Sequence, residues 1–345
     1  MIAIALSFVS CKKSNNNFTQ KNNNGKLNAN NPNSATGVFN DFFVERSEVE
    51  LKSKDNIYIS KITDLLVKNN NYIVGDRRGK QILLYDKSGN IIRPIGKLGK
   101  GPGEYANVNS IDINNKNEIL VADVTSLRVS KYNIRGKFIS SCNISGFASK
   151  ILADQDDGFY LYEPISGVKP VNSDIILHYN SDGKNDFSFG KPFFETGIAE
   201  GSFRKDRSGH LYASQYFCFS IPKYSSEGEY LASIKVMSKY INPLKLKNYY
   251  SYPPLEDLNN SSSIADFALS SKYILIQIRV SNSNNFINIY DSSGNLLKSN
   301  ITMPSQLSLA ATGDDDLFYF IQEPGENLSL DTPNYKIIGY KIKGE

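Results

Sequence analysis

Six times along the chain an apolar run ends in Tyr-x-x-x-Gly: ILLYDKSGN, VSKYNIRGK, ILHYNSDGK, IPKYSSEGE, INIYDSSGN and IIGYKIKGE. The tyrosines are Tyr85, Tyr132, Tyr179, Tyr224, Tyr290 and Tyr340, at intervals of 47, 47, 45, 66 and 50 residues. A unit that recurs at such a period stacks against copies of itself, because it cannot bury its apolar surface alone. Blades of four antiparallel strands run about 40 to 50 residues each. The spacing therefore predicts an all-β chain folded as a six-bladed β-propeller.

Each copy repeats an internal order that residues 108–142 show best: VNSIDI, a polar turn, EILVADV, a turn, LRVSKY, the turn NIRG, then KFISSC. Short apolar runs separated by Asn, Asp and Gly are the mark of antiparallel strands with tight connections. We call these strands A to D, with A nearest the axis. No segment carries helical periodicity over three turns. The sixth copy stops at its turn glycine and lacks a D strand, which leaves an unpaired edge. FFVERSEVELKS, residues 42–53, lies before the first copy and alternates at Val49 and Leu51. It is expected to pair with the last blade and close the ring, within a single domain over residues 39–345.

The start of the chain, MIAIALSFVSCKKS, is a short apolar segment, a small residue and then Cys11. It reads as the end of a lipoprotein signal (residues 1–11) with Cys11 as the lipidated position. No basic residue precedes Cys11, so the start is expected to fall inside a longer signal. Residues 12–38 hold ten asparagines and almost no large apolar side chains. Such a segment cannot offset the entropy of ordering it. As a flexible coil it spans about 30 Å, a tether between anchor and folded body. Cys142 and Cys218 fall in different repeats and are read as isolated thiols rather than a disulfide.

The stretch GKGPGEYANVNSIDINNKNEILVADVTSLRVSKYNIRGKFI resembles an NHL-type repeat, in which an Asp precedes an Arg by five positions, as Asp123 precedes Arg128. With VELKS before the first blade, VGDRRGKQILLYDKSGNIIRPIGKLGKGPGEY across it and the lipoprotein leader, the chain is similar to the six-bladed β-propeller lipoproteins common in Bacteroidetes. The resemblance covers about residues 42–345 and is strongest over 58–142. The Asp-to-Arg spacing is not kept in copies three to six. The resemblance implies the propeller and an envelope address at the outer membrane, and no particular chemistry.

Several function classes are excluded or disfavoured. The 39 basic and 35 acidic residues leave a formal charge of +4, too balanced for a nucleic-acid binder that works by phosphate neutralisation. No apolar run reaches the ~20 residues of a spanning helix. Two histidines, His178 and His210, rule out a histidine-rich metal centre. His178 reads as a packed strand residue, and Asp123 with Arg128 as an ion pair bracing a B–C turn. The acids of DQDDG and TGDDD read as solvated A–B turns. The glycine-rich IGKLGKGPGEY, residues 95–105, has the Gly-x-x-x-x-Gly spacing of a phosphate loop. It lacks the following Lys-Ser/Thr and the helix such a loop needs, so it reads as a tight reversal between blades.

Two features point towards a ligand. Asp76, Arg77 and Arg78 sit at the B–C turn of blade 1, where adjacent arginines either brace the turn, the first reading, or recognise a carboxylate or phosphate. The longest connections, within 163–174, 190–201 and 322–334 and in the insertion 237–263, are all assigned to the B–C/D–A face. Long loops on a rigid scaffold are where binding residues concentrate. Tyr249, Tyr250 and Tyr252, followed by two prolines, either form a contact surface or pin the insertion to the ring. The expected role is a monomeric, lipid-anchored, non-catalytic propeller that binds or scaffolds a glycan, a peptide or a partner envelope protein, with no cofactor. The alternative is a hydrolase or lyase of the lactonase-like propeller type, with a divalent metal in the axial channel.

Overall fold

The six turn glycines share one backbone conformation. Gly89, Gly136, Gly183, Gly228, Gly294 and Gly344 all have φ between 74° and 92°, a region that glycine enters without steric cost. In the first five copies the residue after the tyrosine explains the rest of the motif, whereas the sixth has Lys341 there. In blade 1 the Asp86 side chain accepts the amides of Ser88 at 2.8 Å and Asn90 at 2.9 Å. Asn133, Asn180, Ser225 and Asp291 do the same in their own turns. The motif is thus a C–D hairpin turn locked by a short polar side chain. At Gly89 there is also no room, since a Cβ would lie 1.9 Å from the Glu50 carbonyl oxygen.

A computed structural model describes residues 37–163, 173–193, 200–244, 255–280, 285–324 and 334–344. Strand β1 (Phe43–Glu50) precedes the first copy. Blade 1 is β2 (Ile62–Lys68), β3 (Asn71–Asp76), β4 (Gln81–Tyr85) and β5 (Ile91–Pro94). Blade 2 is β6 (Ser110–Ile113), β7 (Glu118–Asp123), β8 (Arg128–Asn133) and β9 (Phe138–Asn143). Blade 3 is β10 (Lys150–Ala153), β11 (Phe159–Tyr162), β12 (Ile176–Tyr179) and β13 (Asn185–Phe189). Blade 4 is β14 (Phe203–Lys205), β15 (Leu211–Ala213), β16 (Ser220–Tyr224) and β17 (Tyr230–Lys235). Blade 5 is β18 (Ser263–Leu269), β19 (Tyr273–Arg279), β20 (Asn285–Asp291) and β21 (Leu296–Thr302). Blade 6 contains β22 (Leu307–Thr312), β23 (Phe318–Gln322) and β24 (Lys336–Ile342). Each copy is one four-stranded antiparallel sheet, and the sixth runs β22-β23-β24-β1. The two helices described, α1 (Phe39–Phe42) and α2 (Leu255–Asn260), are short.

The core lies between blades. Six apolar clusters among the described residues correspond to the six blade-to-blade interfaces, for example Val74 and Leu83 of blade 1 with Tyr319 and Ile337 of blade 6. A blade sandwiched this way buries both faces of its middle strands. This is why β3 and β7 read as unbroken apolar runs rather than alternating ones. Outermost strands such as β9 keep Phe138 and Ile139 exposed. The A–B turn acids are exposed or half-exposed, as expected, and some of them also stitch neighbouring blades together. Asp157 meets Lys116 of blade 2. Asp314 accepts the Asn69 amide of blade 1 at 2.9 Å, and Asp316 takes the Ser271 amide of blade 5 and the Arg207 guanidinium of blade 4.

Residues 43–50 supply the outer strand of blade 6. β1 runs antiparallel to β24 from Phe43 opposite Ile342 to Glu50 opposite Lys336, with a bulge between Glu45 and Ser47. Its flanks reach two further blades. Thr302 of β21 donates to the Gly37 carbonyl at 2.9 Å, and Lys52 donates to the Gly89 carbonyl at 2.9 Å. Phe39 stacks on Phe43 with centroids 4.3 Å apart, and both rings meet Phe320 and Tyr340 edge-on. Removing residues 37–53 exposes the β24 edge and strips the aromatic cluster. Such a truncation is expected to melt several degrees earlier or to aggregate, whereas removing residues 12–36 leaves the midpoint unchanged. Equal melting of the two truncations would show that the segment contributes nothing to ring stability.

Candidate functional site

The B–C turn of blade 1 is built around one buried acid. Asp76 is fully buried, and its carboxylate accepts the amides of Ser60 at 2.7 Å, Lys61 at 3.1 Å and Gly79 at 2.7 Å. Gln81 Nε2 adds a fourth bond at 3.2 Å. The same turn recurs in blade 2. Asp123 accepts the amides of Ala106 at 2.7 Å, Thr125 at 3.0 Å and Ser126 at 3.1 Å. Lys80 and Leu127, at matching positions, both sit at positive φ, 51° and 48°. Blade 2 therefore makes this turn with Val124 and Thr125 where blade 1 has Arg77 and Arg78. The arginines are not needed for the turn, and bracing does not account for them.

Both arginines are exposed, as is Lys80, and none of the three makes a hydrogen bond or ion pair among the described residues. The acid nearest in sequence, Asp76, is committed to its four donors. Lys61 is engaged by Glu323. Lys61, Thr63, Arg77, Arg78, Lys80 and Asn107 together line an open depression of about 400 Å³ between blades 1 and 2, where B–C and D–A connections meet. Arg77 and Arg78 were legible from their adjacency. Lys80 follows them in the same turn, but Lys61 and Asn107 were not legible, because they come from different connections that only the ring brings together.

The axial channel is closed by ion pairs. A cavity of about 260 Å³ is lined by residues of all six A strands. Lys150 of blade 3 crosses to Asp64 of blade 1, and Asp64 also accepts the Ile111 amide of blade 2 at 3.0 Å. On the other side, Arg204 of blade 4 binds both Asp266 oxygens of blade 5 at 3.0 and 2.9 Å and the Ala310 carbonyl of blade 6 at 3.1 Å. Each staple thus ties three blades. Burial pushes the Asp112 carboxyl up, while Lys205 and the Ala153 amide, donating at 2.7 Å, pull the other way. The channel acids are already held by cations and amides. Among the described residues no three His, Cys, Asp or Glu side chains are grouped to share a metal.

Other expectations are redistributed. Asp123 and Arg128 form no ion pair. Asp123 braces its turn through backbone amides, and Arg128 donates instead to the Glu104 carbonyl. The glycine loop is a reversal. Gly103, at φ 74°, faces Phe138, and Tyr105 folds back to donate to the Ile95 carbonyl at 2.9 Å. Cys142 and Cys218 form no disulfide with each other; the first is half-buried and the second buried. Cys11, Tyr249, Tyr250, Tyr252 and most of the three long connections lie outside the described residues.

This architecture defines a six-bladed β-propeller. The chain belongs to the family described as domain of unknown function DUF4934, which matches residues 24–334. It is similar to a putative exported protein from Bacteroides fragilis, with a TM-score of 0.70 and 16% identity over 89% of this chain and 97% of that one. A member of the DUF4221 family from Bacteroides vulgatus matches with a TM-score of 0.64 and 14% identity, over 87% of this chain and 98% of that one. The virginiamycin B lyase of Staphylococcus aureus shares the fold more distantly, at a TM-score of 0.50 and 13% identity over 81% and 80% of the two chains. Identities this low speak for the fold alone. No curated protein sequence matches the chain.

His178 carries the clearest electrostatic signature, one the sequence did not announce. It lies on β12, its Nδ1 2.6 Å from Asp186 and its Nε2 3.1 Å from Asp154. Tyr160 hydrogen-bonds the same Asp154 and reaches the Ser226 carbonyl of blade 4 at 2.9 Å. Burial works to lower the His178 pKa, but the hydrogen bonds and charges of the two carboxylates outweigh it and hold it above 6.5. Burial likewise opposes the ionised Asp154, yet the His178 hydrogen bond leaves it below 3.8. With a folded pKa above the unfolded one, the stabilisation from His178 is complete below pH 6.5 and is lost as pH rises through the folded value. The melting difference between the parent and His178→Gln should therefore be largest near pH ~5.5 and shrink by pH ~9. A gap that grows with pH would mean that the imidazole is held neutral.

Proposed function

We propose that the protein is an envelope-anchored, non-catalytic binding or scaffolding propeller that engages its ligand, a glycan, a peptide or a partner envelope protein, through the B–C/D–A face. One observation carries this reading. Blade 1 places two exposed arginines without counter-ions in a turn that blade 2 builds with Val124 and Thr125. Unpaired guanidiniums that the fold does not require are groups held for something outside it. The likeness to a protein named as exported supports an envelope or secreted address, and none of the described helices is long and apolar enough to cross a membrane. The ion-paired channel supplies no specific support for the metal-dependent alternative.

The face is tested by placing a photo-crosslinking residue in cells at exposed Thr125, beside the arginine turn, and at exposed Asp182, on a C–D turn of the opposite face. Adducts are expected from position 125 and not from 182. Adducts confined to 182 would overturn the assignment. The anchor is tested separately. Cys11→Ala in the chain with its native leader is expected to move the protein from the membrane to the soluble fraction with an unchanged melting midpoint. Unchanged membrane retention would refute lipidation at this site.

A further inference from the structure

The depression between blades 1 and 2 offers two kinds of group to a ligand, with an exposed aromatic close to its arginine turn. Arg77, Arg78 and Lys80 supply exposed positive charge with no internal acceptor, and the arginines present planar forks suited to a carboxylate. Thr63 and Asn107 are half-buried neutral groups on the same wall. Thr63 Oγ1 spends its proton on the Gly75 carbonyl at 3.0 Å and remains an acceptor. Asn107 Oδ1 accepts the Val108 amide at 2.9 Å, and no acceptor among the described residues takes its NH2 group, which remains a donor. Outside that lining, Tyr58 is 45% exposed, and its carbonyl accepts Gln81 Nε2 at 2.7 Å, which ties the backbone of residue 58 to the end of the arginine turn.

Charge and a neutral donor and acceptor in the depression, with an exposed ring on the segment bonded to its turn, match one chemistry better than others. A pyranose that carries a carboxylate has an anionic group for guanidinium forks, hydroxyls for a Thr and an Asn, and an apolar C–H face for a phenol ring. An acidic peptide is matched less well. β3 and β4, which flank the turn, are interior strands paired on both sides, so the site has no free edge for a peptide backbone to join. Nor is there a helix N-terminus beside the arginines to cradle a free phosphate.

Resting on the binding-face reading, we propose that this depression is a subsite for an acidic saccharide, with the sugar carboxylate held by Arg77 and Arg78. The test is calorimetric titration of the full chain in detergent with three uronate oligomers of different linkage, their methyl esters, poly-glutamate and inorganic phosphate. At least one uronate oligomer is expected to bind, with its ester at least tenfold weaker and affinity falling as salt rises. The double variant Arg77→Ala/Arg78→Ala should lose at least tenfold, and Tyr58→Ala severalfold, with melting midpoints unchanged because all three side chains are exposed. Poly-glutamate or phosphate binding as tightly as the best oligomer would overturn the saccharide assignment. So would binding that survives the double arginine substitution. If no oligomer binds while Thr125 still crosslinks in cells, the saccharide proposal falls and the binding face stands. If crosslinking fails as well, both fall.

Discussion

Every blade in this ring depends on its two neighbours for a core. The apolar clusters lie between sheets and not within one, so a single blade has both faces of its middle strands open to water until the next blade covers them. Stability is then a sum of interfaces between adjacent units, and in a closed ring the first and last unit need one another. That requirement explains why an early strand serves the last blade. β1 completes the hydrogen bonding of β24, Phe39 and Phe43 fill the cluster behind it, and Lys52 carries the chain onto the turn of blade 1. The segment that closes the last sheet also touches blades 5 and 1.

Polar groups inside the ring follow the same logic. Two ionic staples, Lys150 with Asp64 and Arg204 with Asp266, cross the channel and tie three blades each. Partly buried ion pairs contribute little net stability, because desolvation offsets most of their attraction, but removing one partner is costly. Their effect here is to occupy the axial acids. A channel whose carboxylates already face lysine, arginine and backbone amides is a different object from one that presents vacant ligands. Charge is left unmatched instead at the rim, on Arg77, Arg78 and Lys80.

Repetition makes the rim interpretable. Blades 1 and 2 build the same B–C turn around a buried Asp, down to the residue held at positive φ before the next strand. Because the two turns share this plan, the side chains that differ at Arg77 and Arg78 are not needed to build it. Blade 2 places Val and Thr there, and blade 1 places two arginines. Asp76 is at once the reason the turn holds and the reason the arginines stay unneutralised, since its carboxylate is consumed by four donors.

The sequence by itself determined the class, the number of blades and the phase of every strand, because Tyr-x-x-x-Gly encodes a local event. A short polar side chain locks the turn and a glycine takes the left-handed φ, whatever surrounds them. It also pointed to the strand that joins the last blade, since an unpaired edge demands a partner. What it misjudged were interactions between residues far apart in the chain. Asp123 looked paired with Arg128 on spacing, yet tertiary neighbours captured both. The acids of the A–B turns are solvated as read but also meet adjacent blades, and His178 is packed on its strand as read but is also flanked by Asp154 and Asp186, which the sequence did not announce. The basic depression needed Lys61, Thr63, Asn107 and the arginine turn brought together from three connections. Only the closed ring decides that, because blade-to-blade geometry, not local propensity, sets which turns share a wall.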